Sequence, residues 1–204
     1  MFYLGLDLGQ RVDHTALAVV ERLERARPYG EAEYEGLAVR HVERLPLGVP
    51  YPKVVSYVKA QVRGPELRQQ CKVVVDATGL GAPVVERLRG AGLGCEILAV
   101  TITGGEKESA AGQGAWNVPK RDLIAGLQVS LELGEIEMAK GIPELGALVR
   151  ELMDVRERSS GFRRSRWGAE RSGQHDDLVM ALALACWNAR RVVGKVGFRG
   201  GRLF

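Results

Sequence analysis

The sequence predicts an α/β protein with one mixed sheet, in which three strands in hairpin succession precede alternating helices and strands. Three observations support this prediction. Residues 2–9 form a largely apolar run, residues 34–46 alternate polar and apolar side chains, and residues 71–76 are almost wholly apolar. Because a strand without alternation is typical of a sheet covered on both faces, helices are expected on both sides of the sheet.

The first part of the chain predicts three antiparallel strands. Residues 2–9 are the first. Residues 14–24 fit a helix or a strand when taken alone, and the turn signals at Gly9 and Asp13 favour a hairpin partner for the first strand. Residues 34–46 suit a third, edge-like antiparallel strand.

The rest of the chain predicts helices and strands in alternation. The expected elements are helix 53–63, strand 71–76, helix 84–91, strand 95–102, helix 119–133, helix 143–154 and helix 175–191. Residues 103–118 are polar and rich in glycine, which predicts a loop long enough to suggest a function. The arginine-rich residues 156–171 predict an irregular hairpin. A loose basic tail is expected at 194–204, so the folded domain is expected to span 1–193.

The composition is typical of a soluble globular protein of one domain. With 204 residues, 46% of them hydrophobic, the chain can bury a sizeable core. No apolar run approaches the roughly 20 residues that span a bilayer, and no basic leader precedes the first strand. We therefore expect a cytoplasmic protein without a membrane segment. Cys71, Cys95 and Cys186 predict buried free thiols in a reducing compartment.

Two aspartates lie where an isolated charge is costly. Asp7 stands inside the first apolar strand, and Asp76 ends the strand 71–76. A carboxylate beside a buried strand is unfavourable unless it is paired, protonated or bound to a cation. If the two strands are adjacent and parallel, both side chains lie at the edge where open α/β sheets bind ligands. Their repulsion would then raise a pKa sharply unless a divalent cation lay between them.

Asp176 and Asp177 offer a third carboxylate at the start of the last helix. Asp177 shares a helix face with Ala181 and Ala185, whose small side chains permit a close approach to a sheet, and this favours Asp177 as the inward ligand. Asp176 lies about 100° around the helix axis, and its alternative role is that of an N-cap. Both aspartates remain candidates.

A set of carboxylates predicts a hard divalent cation. Oxygen ligands suit Mg²⁺ or Mn²⁺ rather than zinc, and such sites commonly hold two ions about 3.5–4 Å apart for in-line phosphoryl displacement. The predicted catalytic and metal-binding residues are Asp7, Asp76, Asp177 and Asp176. His175 is a candidate for substrate contact or proton transfer, with a cap or surface position as the alternative.

Basic residues suggest contacts with phosphate groups. Lys120 and Arg121 stand at the start of a helix, where a cation is unfavourable for the helix dipole, and this favours a functional reason for them. Arginine is also dense between 156 and 171, and the guanidinium group suits bidentate phosphate contacts. A solvated hairpin, or a general bias towards arginine, is the alternative. The phosphate-binding candidates of this stretch are Arg158, Arg163, Arg164, Arg166 and Arg171.

Four segments, in this order, span nearly the whole chain. They are Gly5-Leu-Asp-Leu-Gly-Gln-Arg-Val-Asp-His-Thr-Ala16, Val73-Val-Val-Asp-Ala-Thr-Gly-Leu-Gly81, Val118-Pro-Lys-Arg-Asp-Leu123 and Gln174-His-Asp-Asp-Leu-Val-Met-Ala-Leu-Ala183. The first two match many α/β proteins, and the third together with the fourth is more specific. Taken together, they resemble the C-terminal nuclease domain of phage large terminase subunits, within the RNase H-like and RuvC-like nucleases.

The resemblance implies an RNase H-like fold and a metal-dependent, largely sequence-nonspecific cut of double-stranded DNA during viral genome packaging. It implies metal ligation by Asp7, Asp76 and the pair formed by Asp176 and Asp177, and it puts the arginine-rich hairpin beside the DNA. Met180 stands where some relatives carry a further acid, so the third ligand and the affinity for a second ion stay open.

The resemblance also implies partners. These are an ATPase motor domain, a portal and a small terminase subunit, in the cytoplasm of a phage-infected or prophage-bearing bacterium. The chain has no Gly-x-x-x-x-Gly-Lys-Ser/Thr loop to bind nucleotide phosphates. We therefore expect an excised nuclease domain or a stand-alone relative, monomeric in isolation.

Other interpretations use the same residues. A junction resolvase or an RNase H-type enzyme is built on the same scaffold, and a resolvase should be a dimer. A sugar-kinase or actin-like ATPase shares the start Asp7-Leu8-Gly9, but needs two such domains around a nucleotide cleft. A DNA-binding module without catalysis would bind DNA and show no cleavage.

Overall fold

The computed structural model describes residues 1–9, 13–25, 33–68, 70–79, 81–160 and 176–191. Within these ranges the strands are β1 (Phe2–Asp7), β2 (Ala16–Arg25), β3 (Glu33–Arg44), β4 (Cys71–Asp76), β5 (Glu96–Thr103), β6 (Ser109–Gly112), β7 (Ala115–Pro119) and β8 (Ile136–Met138). The helices are α1 (Tyr51–Arg63), α2 (Gly81–Gly90), α3 (Lys120–Glu132), α4 (Leu145–Ser160) and α5 (Asp177–Arg191).

The strands form one mixed sheet, as the sequence predicts. Their order across the described part of the chain is β6-β7-β5-β4-β1-β2-β3-β8. β1, β2 and β3 form an antiparallel meander, whereas β4, β5 and β7 run parallel to β1 on its other side. The topology therefore puts the carboxyl ends of β1 and β4 next to each other.

Helices cover both faces of the sheet, and the strand residues alternate between the two cores. One core contains side chains of α3, α4 and α5, and the other contains side chains of α1 and α2. In β1, Tyr3 belongs to the α5 core, while Leu4 and Leu6 belong to the opposite core. By the same alternation, Asp7 lies on the α5 face of the sheet.

Gly5 allows α5 to lie directly on β1. A Cβ atom at Gly5 would overlap the main-chain carbonyl group of Ala181, so no larger residue fits there without moving the helix. Both Ala181 and Ala185 are fully buried at this contact. The close approach predicted from these alanines is therefore found, and the start of α5 lies near the end of β1.

The predicted loop at 103–118 is wrong over residues 109–118. These residues form the hairpin of β6 and β7, and β7 extends the sheet by pairing in parallel with β5. The hairpin turn uses Gly112 at φ 133° and Gly114 at φ 68°, values that favour glycine. Every residue of β6 is exposed and small, so main-chain hydrogen bonds define this strand and no apolar pattern announces it.

Two further differences concern the second half of the chain. α4 continues to Ser160, so the hairpin predicted at 156–171 is wrong for 156–160, and the remainder lies outside the described residues. The unpredicted strand β8 has only three residues, too few for a recognisable pattern, and pairs in parallel with β3. The domain boundary at 193 and the tail 194–204 also lie outside the described residues.

None of the helices in the described ranges is both long enough and apolar enough to cross a membrane.

Candidate metal centre

Asp7 and Asp76 end two neighbouring parallel strands. In the register of β1 and β4, Leu6 lies opposite Val75, so the next residue of each strand is one of the two aspartates. Val74 belongs to the α5 core, and strand alternation therefore turns Asp76, like Asp7, towards α5. The two carboxyl groups are therefore neighbours, and the charge of Asp76 acts on Asp7.

Burial raises the pKa of both strand carboxyl groups, and like charge raises that of Asp7 further. The pKa of Asp7 lies well above its ordinary value, first of all because the group is buried. The charges of Asp76, Asp177 and Asp176 raise the pKa of Asp7 further, in that order. The positive charge of Lys120 opposes them. Burial likewise raises the pKa of Asp76. The site is therefore an acidic cluster that folding makes unfavourable to ionise.

Thr78 fixes the side chain of Asp76. The Thr78 main-chain N–H donates to Asp76 Oδ1 at 2.8 Å, and hydrogen bonds from the hydroxyl and this N–H lower the pKa of Asp76 against the effect of burial. The Thr78 Oγ1 also accepts a hydrogen bond from the Ile102 N–H at 2.9 Å, which ties the turn after β4 to β5. The spacing Asp-x-Thr after a strand is the sequence signal for such a side-chain turn.

The aspartates at the start of α5 lie close to Asp7, and each faces a cation. The main-chain carbonyl of Asp176 accepts the Met180 N–H at 2.8 Å, so Asp176 occupies the N-cap position. The Asp176 carboxylate accepts a hydrogen bond from Lys120 Nζ at 2.8 Å. Asp177 is buried, with its Oδ2 atom 3.8 Å from Arg44 Nε. Both carboxylates therefore belong to the cluster around Asp7.

Arg44 and Glu151 belong to the surroundings of the site, and sequence reasoning missed both. Arg44 ends β3, and its guanidinium group also pairs with Glu151 of α4 and with Glu144, the residue before α4. Glu151 is 6% exposed and lies on the same face of α4 as Leu148 and Val155, which are buried. A carboxylate at a core position of an amphipathic helix is the signal that could have identified it, because such a group needs a partner.

The predicted basic residues do not all lie at the acidic cluster. Lys120 lies within the cluster, as its hydrogen bond to Asp176 shows. Arg121 points elsewhere, since its Nη2 donates to the Glu106 carbonyl oxygen at 2.7 Å and thereby holds the segment after β5. Arg158 lies in α4, where only its main chain is described. The candidates outside the described residues are Arg163, Arg164, Arg166, Arg171 and His175.

The donor set fits a hard divalent cation in kind. Carboxylate oxygens are the ligands that Mg²⁺ and Mn²⁺ prefer, and a cation between Asp7 and Asp76 would favour the charged forms that burial, and for Asp7 also the neighbouring carboxylates, make unfavourable. In the described residues, however, no three acidic, histidine or cysteine side chains are gathered in a ready-made metal-binding group. A third ligand would come from Asp176 or Asp177 by turning away from the lysine or arginine that it now faces.

Comparison with solved structures identifies the fold. The structure is similar to the large terminase nuclease from thermophilic phage G20c with bound magnesium, at 24% sequence identity and a TM-score of 0.59 over 92% of this chain and 80% of that one. It is also similar to the human cytomegalovirus terminase nuclease domain, at 12% identity and a TM-score of 0.54 over 91% of this chain and 82% of that one.

A third similar structure is the nuclease domain of the large terminase from bacteriophage SPP1 with bound Mn, at 12% identity and a TM-score of 0.50 over 92% of this chain and 85% of that one. No protein-family model matches the sequence, and no curated protein matches it. These similarities show that the chain has the RNase H-like fold of terminase nuclease domains, as the sequence predicts.

Proposed function

We propose that this chain is a divalent-metal-dependent endonuclease that cleaves double-stranded DNA, as terminase nuclease domains do. The observation that carries the proposal is the partly buried pair Asp7 and Asp76, which lies on the α5 face of the sheet and whose charged forms a divalent cation would favour. The fold supports it, because similar terminase nucleases have been solved with magnesium and with Mn.

Two Mg²⁺ or Mn²⁺ ions would be held by Asp7, Asp76 and either Asp176 or Asp177. Asp7 and Asp76 are fixed on the sheet, and Asp177 or Asp176 would complete the ligand set from the helix. When bound, such ions activate water near neutral pH and stabilise the leaving 3′ oxygen of a phosphodiester. Thr78 would keep Asp76 aimed at the site through its two hydrogen bonds.

Lys120 would bind the phosphate backbone of DNA. Its ammonium group now bonds to Asp176, and it is 39% exposed. If Asp176 turned to a metal ion, this ammonium group would become available to a phosphate oxygen beside the cut. We assign a supporting phosphate contact to Arg121, whose side chain is 53% exposed. Contacts of this kind hold the backbone without reading bases, which accounts for cleavage with little sequence preference.

We assign the same backbone contacts to the arginine-rich stretch, through Arg158, Arg163, Arg164, Arg166 and Arg171. In the cell, the proposed setting is viral genome packaging, with an ATPase motor, a portal and a small terminase subunit as partners. The fold shared with terminase nuclease domains is the observation that supports this setting.

The test is incubation of supercoiled plasmid with the protein in Mg²⁺, in Mn²⁺ or in chelator. We expect nicking and linearisation in both metals and none in chelator, and we expect Asp7→Ala to lose them. Glu86→Gln is the matched control, because Glu86 is an acidic side chain that is 72% exposed and pairs with Arg89 away from the site. Equal cleavage by the wild type and Asp7→Ala would overturn the proposal.

The same assay separates the proposed activity from other activities of this fold. A four-way junction and an RNA–DNA hybrid are offered beside linear duplex DNA at equal concentration. Preference for the duplex is expected. Symmetric cutting confined to the junction would favour a resolvase, and cutting confined to the RNA strand would favour an RNase H-type enzyme.

A further inference from the structure

A buried carboxylate of α4 lies behind the candidate metal centre. Glu151 is 6% exposed, and Leu148 and Val155 on the same helix face are buried in the α5 core. An apolar residue of similar size would fill this position at no electrostatic cost, so the carboxylate calls for an explanation in the partners that it binds.

The two oxygens of Glu151 hold two different elements. Oε1 pairs with the guanidinium group of Arg44, at the end of β3. Oε2 accepts the main-chain N–H of Val179 at 3.2 Å. Val179 is the third residue of α5, and its N–H is one of the first-turn donors that have no partner within the helix. Glu151, although it belongs to another helix, therefore caps α5. Its negative charge also interacts favourably with the positive, N-terminal end of the dipole of α5.

Arg44 connects Glu151 to Asp177 of the candidate metal centre. Its Nε lies 3.8 Å from Asp177 Oδ2, and its Nη1 lies 3.4 Å from Glu144. The arginine side chain is 19% exposed, and the Asp177 side chain is 9% exposed. One guanidinium group thus links β3, α4 and the first turn of α5 where little water screens the charges.

We propose that Glu151 is a positioning residue, which holds the first turn of α5 directly and holds Asp177 through Arg44, so that the helix carboxylates meet a divalent cation bound at Asp7. This inference rests on the proposed function. It predicts that Glu151 sets the affinity for metal, although Glu151 is not placed among the metal ligands.

The other end of α5 offers a control for the stability of the helix. There, Arg190 donates to the carbonyl oxygen of Gly126 and to Ser130 Oγ, the latter at 2.9 Å. These bonds tie α5 to α3 about 20 Å from Asp177, as judged from the rise of a helix. Arg190→Gln should loosen the same helix without touching the end that bears the carboxylates.

The test is titration of the full chain with Mn²⁺, followed by electron paramagnetic resonance of the free ion. Loss of an outer-shell support typically weakens metal binding by about 10–100-fold, and we expect a loss in that range for Glu151→Leu. Glu151→Gln keeps an acceptor for Val179 but loses the charge that pairs with Arg44, and should lose less. Arg190→Gln should lower the melting temperature and leave Mn²⁺ affinity within about twofold of the wild type.

Each outcome decides a different claim. Wild-type affinity in Glu151→Gln and in folded Glu151→Leu would overturn the positioning role. If Glu151→Leu does not fold, unchanged affinity in Glu151→Gln and in Arg44→Lys would overturn it. Equal losses of affinity in Arg190→Gln and Glu151→Gln would assign the effect to helix stability alone and overturn it as well. Absence of Mn²⁺ binding by the wild type would overturn the proposed function, and this inference with it.

Discussion

The strand aspartates and the helix aspartates of the candidate metal centre differ in what balances their charge. Asp7 is partly buried, and the three strongest charges that act on it belong to other carboxylates. Asp176 accepts a hydrogen bond from Lys120 at 2.8 Å, and Asp177 lies 3.8 Å from Arg44. Ionisation of Asp7 is therefore unfavourable in the folded protein, whereas each helix carboxylate has a cation beside it.

The strand aspartates and the helix aspartates therefore differ in their electrostatic surroundings, and the sequence alone does not show this difference. A carboxylate whose charged form is made unfavourable by burial and like charge does not stabilise the fold by ionising, and groups of this kind cluster at functional sites. A carboxylate that pairs with a lysine or an arginine can contribute to stability and to the site at once. The same change from aspartate to asparagine should therefore act differently on the two pairs, in activity and in stability.

The largest expected effect is on cleavage. Asp7→Asn and Asp76→Asn should each lower the cleavage rate by about 10³-fold or more, because each removes several kcal/mol of metal-dependent stabilisation. Asp176→Asn and Asp177→Asn should differ from each other. The variant at the residue that binds metal should lose as much activity as Asp7→Asn, and the other variant should lose less than about tenfold. Single-turnover rates on plasmid DNA measure this, with Glu86→Gln as the control.

Equal, small losses in all four variants would remove the distinction between the two pairs. A normal rate in Asp7→Asn would remove the strand pair from catalysis altogether.

The next effect is on stability, and its sign should differ between the pairs. Asp7→Asn should stabilise the fold by about 0.5–2 kcal/mol at neutral pH, because it removes an acidic group whose ionisation burial and neighbouring carboxylates make unfavourable. Asp177→Asn should destabilise it by about 1–2 kcal/mol, because Arg44 loses one of its buried partners. Urea unfolding without metal measures both. A destabilised Asp7→Asn would instead make Asp7 a structural residue.

The pH dependence of stability sharpens the same contrast. Burial and neighbouring carboxylates raise the pKa of Asp7 above its ordinary value of 3.8, so the folded state holds this proton more tightly than the unfolded chain does. The free energy of unfolding should therefore fall as the pH rises from about 3.8 through the raised pKa, and the loss is complete above it.

Asp7→Asn should flatten this fall, and added Mg²⁺ should oppose it in the wild type, since the ion favours the charged form. Unfolding curves at a series of pH values measure the slope, with Glu86→Gln expected to follow the wild type. Parallel slopes in the wild type and Asp7→Asn would show that Asp7 does not titrate in this window.

The strand pair could be predicted from the sequence because its signals are local. Asp7 interrupts an apolar strand, and Asp76 ends another. Because neighbouring parallel strands have their carboxyl ends at the same edge of the sheet, the two side chains are expected to be neighbours. The support of the helix pair could not be predicted in this way. Arg44 and Glu151 are 107 residues apart in the chain, and each looks like an ordinary charged residue until the two elements pack.

The fold shows the same division. The three-stranded meander can be predicted from apolar patterns, and the packing of α5 on Gly5 from small residues. Both signals are contained in a few neighbouring positions of the sequence. In the hairpin of β6 and β7, only β7 pairs with β5, and β6 is held to β7 by main-chain hydrogen bonds that need no apolar pattern. Residues such as Ser109 and Ala110 are exposed, so the sequence of this strand has no alternation of apolar and polar residues by which to recognise it.

The smallest effect concerns how the strand pair is held. Neutral hydrogen bonds from Thr78 position Asp76, in contrast to the cations that face the helix carboxylates. Thr78→Val keeps the shape of the side chain and the main-chain N–H, but it loses the hydroxyl group that bonds to Asp76 and accepts the Ile102 N–H. Because one such hydrogen bond contributes about 1 kcal/mol, cleavage should fall by about 3–10-fold.

Thr78→Ser is the control, since it restores the hydroxyl and should recover most of the cleavage rate. Loss of the hydroxyl should also raise the pKa of Asp76 further, because this hydrogen bond lowers it, and a higher pH should therefore be needed for full activity in Thr78→Val. The rate of cleavage against pH measures both effects. A normal rate in Thr78→Val beside an impaired Thr78→Ser would show that the methyl group and its packing, rather than the hydrogen bonds, hold Asp76 in place.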